Sequence, residues 1–118
     1  MARLVLGIEL DSEARIAARN IHLLELVEQT GSISAAGRAC GITYRQAWTR
    51  LDEVTRMFKA PVLAAQVGGR DGGGARLTDF GRQIVARFRA IEALAANLAE
   101  VDLDALEAAS RPPPPVAS

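Results

Sequence analysis

A polar stretch near the middle of the chain carries the side chains best suited to recognising another molecule. Hydroxyl, carboxamide and guanidinium groups occur together there; the residues are Thr43, Tyr44, Arg45, Gln46, Thr49 and Arg50. An arginine can donate two hydrogen bonds to guanine, and a glutamine can form a similar pair with adenine. The stretch therefore favours contacts with base edges in double-stranded DNA, with Arg45 and Gln46 as the base-reading side chains.

Residues that could support catalysis or bind a metal are few. His22 is the only histidine and Cys40 the only cysteine, and the two are predicted to lie in separate helices. A catalytic or metal site needs several such groups at defined spacing, and the sequence contains no paired carboxylates, nucleophile–base set or ligand cluster. The sequence thus predicts a protein that is not an enzyme and binds no metal or cofactor. We expect His22 at the surface and Cys40 as a small buried apolar residue.

The recognition stretch is expected to open the second of two helices joined by a tight turn. Ser32 is a candidate N-cap for the first helix, and Gly41 suits the left-handed turn that follows it. Thr43 and Gln46 fit a Thr-x-x-Gln capping box, which places a second demand on Gln46. The inward face of the second helix repeats at helical spacing through Ala47, Leu51, Val54 and Phe58. Two helices joined in this way form a helix-turn-helix, whose second helix enters the major groove.

Other residues of the two helices are expected to contact phosphates or to affect how the helices pack. We expect Ser32, Ser34 and Arg38 to contact phosphates from the first helix, and the second helix to end near Pro61. Trp48 lies beside the inward face and is expected to pack in the core; stacking on a base is the alternative. Gly37 is expected to cost about 1 kcal/mol of helix stability, which is tolerable if it permits closer packing.

The segment before the motif predicts a strand and a helix. Apolar residues alternate with others from Arg3 to Leu10, which is typical of a half-buried strand. After a turn at residues 11–13, the chain either returns as a short strand over Ala14–Ile16 or passes directly into a helix. That helix begins near Ala18 and ends at Gly31, a residue favoured just beyond helix ends.

A glycine-rich hairpin is predicted after the motif. Strands at residues 61–67 and 75–78 flank the loop sequence VGGRDGGG, which lacks the Gly-Lys-Ser/Thr of a nucleotide-binding loop. A hairpin with a cationic tip after a helix-turn-helix is typical of a wing, with Arg70 placed along the DNA backbone or in the minor groove. A flexible hairpin end that binds nothing is the alternative.

The last predicted helix could hold two copies of the chain together. Thr78 and Asp79 suit its start, and about twenty residues follow in helical pattern. A heptad-like apolar seam runs through Ile84, Phe88, Ile91, Ala95 and Leu98. Such a seam can pair two copies as a dimer; packing onto its own domain is the alternative. Residues 101–118 are acidic and then proline-rich, so we expect a domain at residues 1–100 and a largely disordered tail.

Charge is distributed unevenly along the chain. Residues 32–91 hold ten Lys/Arg and four Asp/Glu, a net charge of +6, although the whole chain has a formal net charge of +0. The flanking residues 1–31 and 92–118 carry −2 and −4. A local basic face is what drives phosphate binding, because it releases counterions from DNA. An ordinary solvated surface remains the alternative explanation.

These motifs together resemble a known family. The segments SISAAGRACGITYRQAW and GGRDGGGARLT, followed by a helix with the pattern GRxxxxRFR, resemble the N-terminal DNA-binding domain of ModE-type regulators, within the LysR-like winged-helix group. The resemblance implies transcription regulation in molybdenum-linked metabolism and a dimer held by the N-terminal strands, including Leu4 and Leu6, and by the last helix. ModE-type sensors continue into oxyanion-binding domains. Because this sequence ends at Ser118, we expect DNA binding without a molybdate site.

The sequence therefore predicts an α+β, mainly α fold, a winged helix-turn-helix with an N-terminal strand or hairpin and a long C-terminal dimerisation helix. No apolar run approaches the roughly 18 residues that span a bilayer, and the start is unlike a signal peptide, so we expect a cytoplasmic protein. The predicted function is a dimeric, sequence-specific transcription regulator. The acidic segment and proline-rich tail motivate an alternative, a winged-helix module that binds an unknown protein partner or assists molybdoenzyme maturation.

Overall fold

The computed structural model describes residues 1–66 and 74–116. Its elements, in chain order, are β1 (Gly7–Glu9), β2 (Arg15–Ala17), α1 (Ala18–Thr30), α2 (Ile33–Cys40), α3 (Tyr44–Thr55), β3 (Leu63–Gln66), β4 (Gly74–Leu77) and α4 (Asp79–Ala109). The strands form two separate two-stranded antiparallel sheets, β1–β2 and β3–β4. The predicted fold class, a mainly helical winged helix-turn-helix, is confirmed. No helix within the described ranges is long and apolar enough to cross a membrane.

The N-terminal segment forms the hairpin, rather than a single strand leading into a helix. Ile8 pairs with Ile16, and the turn closes with a 2.8 Å hydrogen bond from the Leu10 N–H to the Ala14 carbonyl. Glu13 occupies the left-handed region of that turn, at φ 70°. Burial alternates from Arg3 to Leu10 as predicted, but the paired ladder is only three residues long because β2 passes directly into α1.

Helix α1 lies at the centre of the core. Its Ile21, Leu24 and Val27 side chains are fully buried. The helix ends as predicted at Gly31, which has a φ of 78° and donates its N–H to the Val27 carbonyl at 2.8 Å. The apolar faces of α2, α3 and the start of α4 pack around this helix, so the helix-turn-helix shares one hydrophobic core with α1.

Helix α3 ends earlier than predicted, at Thr55 and not near Pro61. Phe58 keeps an inward role from the turn beyond the helix, where its ring packs edge-to-face on Phe80 with 5.7 Å between ring centroids. Proline limits how far a helix can extend, but it does not require the helix to continue until the proline is reached.

Helix α4 is 31 residues long, against the predicted twenty, and includes residues 101–109 that were predicted to be disordered. Beyond Gly81 in its first turn, its alanine- and leucine-rich sequence contains no glycine or proline until Pro112, so the helix continues to Ala109. Thr78 caps its start by accepting the Gly81 N–H at 3.0 Å. Gly81 lies so close to the Val62 carbonyl oxygen that the position has no room for a Cβ atom.

Candidate nucleic-acid interface

The junction between α2 and α3 has the geometry of a tight helix-turn-helix. Gly41 adopts a φ of 70° and donates its N–H to the Arg38 carbonyl at 3.1 Å, which ends α2. A Cβ atom on Gly37 would lie 3.2 Å from the Ala47 Cβ. The glycine therefore allows α2 and α3 to approach closely, which is the compensation expected for its low helix propensity.

The start of α3 is fixed by the predicted capping box. The Thr43 Oγ1 accepts the Gln46 N–H at 3.1 Å, and the Thr43 N–H donates to the Gln46 Oε1 at 3.0 Å. A glutamine that pairs with adenine needs its carboxamide oxygen as an acceptor for the base amino group. Because this oxygen already accepts a backbone N–H, Gln46 is better suited to capping than to reading a base.

Trp48 lies on the surface of α3, although the sequence predicted it in the core. The expected core position is wrong, since Trp48 is 50% exposed. The neighbouring Ala47 and Leu51 occupy the inward face, and successive residues lie about 100° apart around a helix, so Trp48 projects from the flank. Tyr44, one turn earlier on the same flank, is 58% exposed. Arg45 and Thr49 are exposed on the adjacent outer face.

An open groove of about 480 Å³ brings three arginines together beside α3. Arg45 and Arg50 come from α3, and Arg19 comes from the first turn of α1. The buried Asn20 fixes this arrangement by donating its side-chain N–H to the Arg50 carbonyl at 3.3 Å. Sequence reasoning missed Arg19, because only the tertiary packing of α1 against α3 places it beside the recognition helix.

The residues predicted to contact phosphates from α2 differ in how far they are exposed to solvent. Ser32 is fully buried and its hydroxyl accepts the Ala35 N–H at 2.9 Å, so this side chain caps α2 and is not available at the surface. The Ser34 hydroxyl accepts from the Arg38 Nη1 at 3.3 Å. Arg38 itself is exposed, which leaves it the better placed of the three for a phosphate.

The base of the predicted wing is attached to the end of α1. Ala65 pairs with Ala75 in the β3–β4 hairpin, and the Ala75 N–H donates to the Gly31 carbonyl at 2.9 Å. Arg76 projects from β4 as an exposed cation. The loop at residues 67–73, with Arg70, lies outside the described residues, so its predicted contact stays a prediction.

Glu28 links this hairpin to two helices. Its Oε2 accepts the Leu77 N–H at 2.8 Å, and its Oε1 accepts from the Arg82 guanidinium at 3.0 Å. The backbone hydrogen bond from Leu77, followed by the interaction with Arg82, lowers the pKa of Glu28 below its usual value. The carboxylate therefore joins β4, the last turn of α1 and the first turn of α4.

The predicted dimer residues are divided between the core and the surface. Phe88 is only 2% exposed, and Ile84 and Leu6 pack against the core of their own domain, so all three are unsuited to an intermolecular seam. Leu4 is half-buried beside α4. The heptad-like spacing predicted an apolar face on α4, but it cannot show whether that face packs on the protein's own core or on another chain. The later part of α4 is different: the exposed large apolar residues there are Ile91, Leu94, Leu98, Val101 and Leu106.

An ion-pair cluster holds α4 against α1. The Arg89 guanidinium contacts carboxylates of Glu25 and Glu92, each at 2.6 Å. These hydrogen bonds raise the pKa of Arg89, and the bond from Arg89 is the main cause that lowers the pKa of Glu25. His22 is exposed, with its Nδ1 3.9 Å from Glu25. Cys40 is half-buried against the core, and the described ranges contain no group of residues suited to a metal ion.

Comparison with known proteins places this geometry in a family. Residues 18–82 match the family described as bacterial regulatory helix-turn-helix protein, lysR family. The molybdenum-pterin-binding protein MopB of Rhodobacter capsulatus is 44% identical over 85 residues, which cover 72% of this chain and 32% of MopB. The molybdenum transport protein ModE of Azotobacter vinelandii is 37% identical over 87 residues, covering 74% of this chain and 32% of the relative.

A third relative is the DNA-binding transcriptional dual regulator ModE of Escherichia coli, 30% identical over 87 residues that cover 74% of this chain and 33% of ModE. The chain thus spans about a third of the length of the relatives it matches. The family match itself covers more than half of the chain and includes α1, the whole helix-turn-helix and the β3–β4 hairpin. The chain therefore belongs to the lysR family of bacterial regulatory helix-turn-helix proteins.

Proposed function

We propose that the protein is a transcription regulator that binds double-stranded DNA in a sequence-dependent manner by placing α3 in the major groove. The observation that carries this proposal is the exposed N-terminal half of α3, fixed by its capping box and bordered by three arginines. A recognition helix must present fixed side chains to base edges while nearby cations hold the phosphates. The similarity to ModE proteins supports a role in genes of molybdenum metabolism.

The exposed residues divide naturally between reading bases and positioning the helix. Arg45 is the side chain best placed for a base, and a bidentate contact with guanine would contribute about 1–3 kcal/mol of discrimination. Thr49 lies one turn later on the same face and can donate or accept a hydrogen bond. The proposed phosphate contacts come from Arg19, Arg38, Arg50 and Arg76. Arg70 joins them if the glycine-rich loop serves as a wing.

We further propose that a second copy of the chain covers the distal half of α4. Ile91, Leu94, Leu98 and Val101 are exposed and follow at i, i+3, i+7 and i+10, the spacing of a two-stranded coiled coil. This stripe differs from the predicted seam, since it begins after Phe88. Two copies joined in this way would present two α3 helices to half-sites about 34 Å apart on one face of DNA.

A second candidate function, binding of a protein partner, is favoured by the end of α4. Leu106 is 68% exposed there among Asp102, Asp104 and Glu107, although the Glu107 carboxylate also lies 3.1 Å from the amino terminus of Met1. A basic amphipathic segment would complement this surface. The proposed partner surface and the proposed DNA surface lie on different elements, so the two functions can be tested separately.

The experiment is a salt titration of DNA binding, measured by fluorescence anisotropy with labelled duplexes. The proposed function predicts affinity that falls steeply between 50 and 200 mM salt, by about a thousandfold if roughly six phosphates are neutralised. A protein with no measurable affinity for any duplex at 50 mM salt would contradict the proposal and leave the protein-binding function as the better explanation.

A further inference from the structure

Exposed aromatic side chains are concentrated on one flank of α3. Tyr44 and Trp48 are the only tyrosine and the only tryptophan in the chain, and they are 58% and 50% exposed. The three phenylalanines lie in the core or pack against it. Burying an aromatic ring is strongly favourable, so a half-exposed indole on the proposed recognition helix leaves a large apolar surface uncovered.

The position of this aromatic pair makes it part of the surface that would face DNA. Residues three or four apart on a helix are neighbours, so Tyr44, Arg45, Trp48 and Thr49 form one continuous patch. Gln46 is engaged in the capping box, and Arg50 lies on the opposite flank beside Arg19. Of the predicted base-reading pair, Arg45 and Gln46, only Arg45 belongs to this exposed patch, which is half aromatic and half hydrogen-bonding.

The chemistry of the major groove offers one partner for an apolar flank. Base edges there carry hydrogen-bond donors and acceptors, and the only apolar group among them is the C5-methyl of thymine. Insertion between stacked bases fits this geometry less well, because apolar wedges act from the minor groove, whereas a helix in the major groove presents its side chains to base edges. The indole can cover a methyl group with its apolar surface while its Nε1–H donates to a nearby acceptor.

We infer that Trp48, supported by Tyr44, is a specificity-determining residue that recognises thymine through its C5-methyl group. This inference rests on the proposed function, since it assigns a base preference to the same helix. It predicts that preferred binding sites contain an A·T pair next to the base read by Arg45. The affinity contributed by the methyl group is about fourfold, the effect of burying one carbon of that size.

The test begins by selecting preferred duplexes from a random library with the whole chain. Each thymine in the selected site is then replaced by deoxyuridine, which removes the methyl group and keeps every hydrogen-bonding group. Competition anisotropy is expected to show a loss of about fourfold at one position per half-site and almost none elsewhere. In Trp48→Ala that position should become insensitive to the replacement, and in Trp48→Phe, which keeps an apolar ring, part of the sensitivity should return.

Intrinsic fluorescence gives an independent readout, because the single tryptophan reports on this site alone. Its emission should shift on binding the thymine duplex, and shift less with the deoxyuridine duplex. Sites selected without thymine, equal affinity for both duplexes at every position, or an unchanged replacement effect in Trp48→Ala would each overturn the inference while leaving sequence-dependent binding intact. Failure to bind any duplex would instead contradict the proposed function itself. If Trp48→Ala does not fold, the affinities of the wild-type protein for the thymine and deoxyuridine duplexes still test whether the methyl group is recognised.

Discussion

Replacement of Glu28 by alanine should measure how firmly the β3–β4 hairpin is attached to the helices. The substitution removes the acceptor of the Leu77 N–H at 2.8 Å and the partner of Arg82 at 3.0 Å. A hydrogen bond to a charged group contributes about 1.5–3 kcal/mol, and an exposed ion pair adds at most about 1 kcal/mol. The Glu28 side chain is 35% exposed, so solvent screening reduces both contributions, and we expect a loss of about 2 kcal/mol in total.

That loss corresponds to a fall of about 8 °C in melting temperature for a domain of this size, measured by circular dichroism. Glu28→Gln keeps an oxygen that can accept the Leu77 N–H, so it should lose only about half as much. Glu53→Ala is the matched control, because it removes an exposed glutamate from α3 and should change the melting temperature little. Hydrogen exchange gives a local readout, in which Glu28→Ala should reduce the protection of the Leu77 amide.

The pH dependence of the same pair checks the electrostatic part of the reasoning. The pKa of Glu28 is lowered in the folded protein, so its charge stabilises the fold above the unfolded pKa of about 4.3. This contribution is lost as the pH falls through the lower, folded pKa. The stability difference between wild type and Glu28→Gln should therefore be constant near neutral pH and disappear in acid. If wild type and Glu28→Ala have equal melting temperatures at pH 7, and the Leu77 amide is equally protected in both, the proposed anchoring role is refuted.

Three further predictions concern packing, capping and assembly. Gly81→Ala should destabilise the protein by about 2–4 kcal/mol in chemical denaturation, because the position lacks room for a Cβ, whereas Gly7→Ala should be nearly neutral. Thr43→Ala removes the N-cap of α3 and should cost about 1 kcal/mol, seen as a lower melting temperature; no change would mean the box does not stabilise the helix. Leu94→Glu should convert the proposed dimer to a monomer in light scattering, while Leu106→Glu, off the stripe, should leave the dimer intact. If Leu94→Glu remains a dimer, the interface lies elsewhere.

The features that sequence predicted correctly are those that depend on a few neighbouring residues. Gly31 and Gly41 adopt the left-handed backbone that their positions indicated, and the Thr43–Gln46 box forms with both of its hydrogen bonds. Each of these depends on local backbone geometry, which residue type determines directly. The outline of the winged helix-turn-helix could be predicted for the same reason.

The features that sequence missed depend on which surfaces meet in three dimensions. Phe88 and Leu98 share one apolar spacing, yet Phe88 is buried in the core and Leu98 is 88% exposed. Trp48 is large and apolar, but smaller neighbours fill the inward face. Arg19 joins the recognition surface only through the packing of α1 on α3. Periodicity identifies an apolar or polar face, and only the tertiary structure identifies what that face contacts.

The central claim, that α3 reads base sequence, is tested most directly by competition between a selected duplex and a scrambled duplex of equal length and composition. Wild type should prefer the selected duplex, and Arg45→Ala should lose about tenfold or more of that preference, equivalent to one bidentate base contact. Arg111→Ala removes the same charge from the chain beyond α4 and should keep the preference unchanged. Equal discrimination by wild type and Arg45→Ala would contradict the assignment, and binding of both duplexes with equal affinity by wild type would contradict base reading altogether.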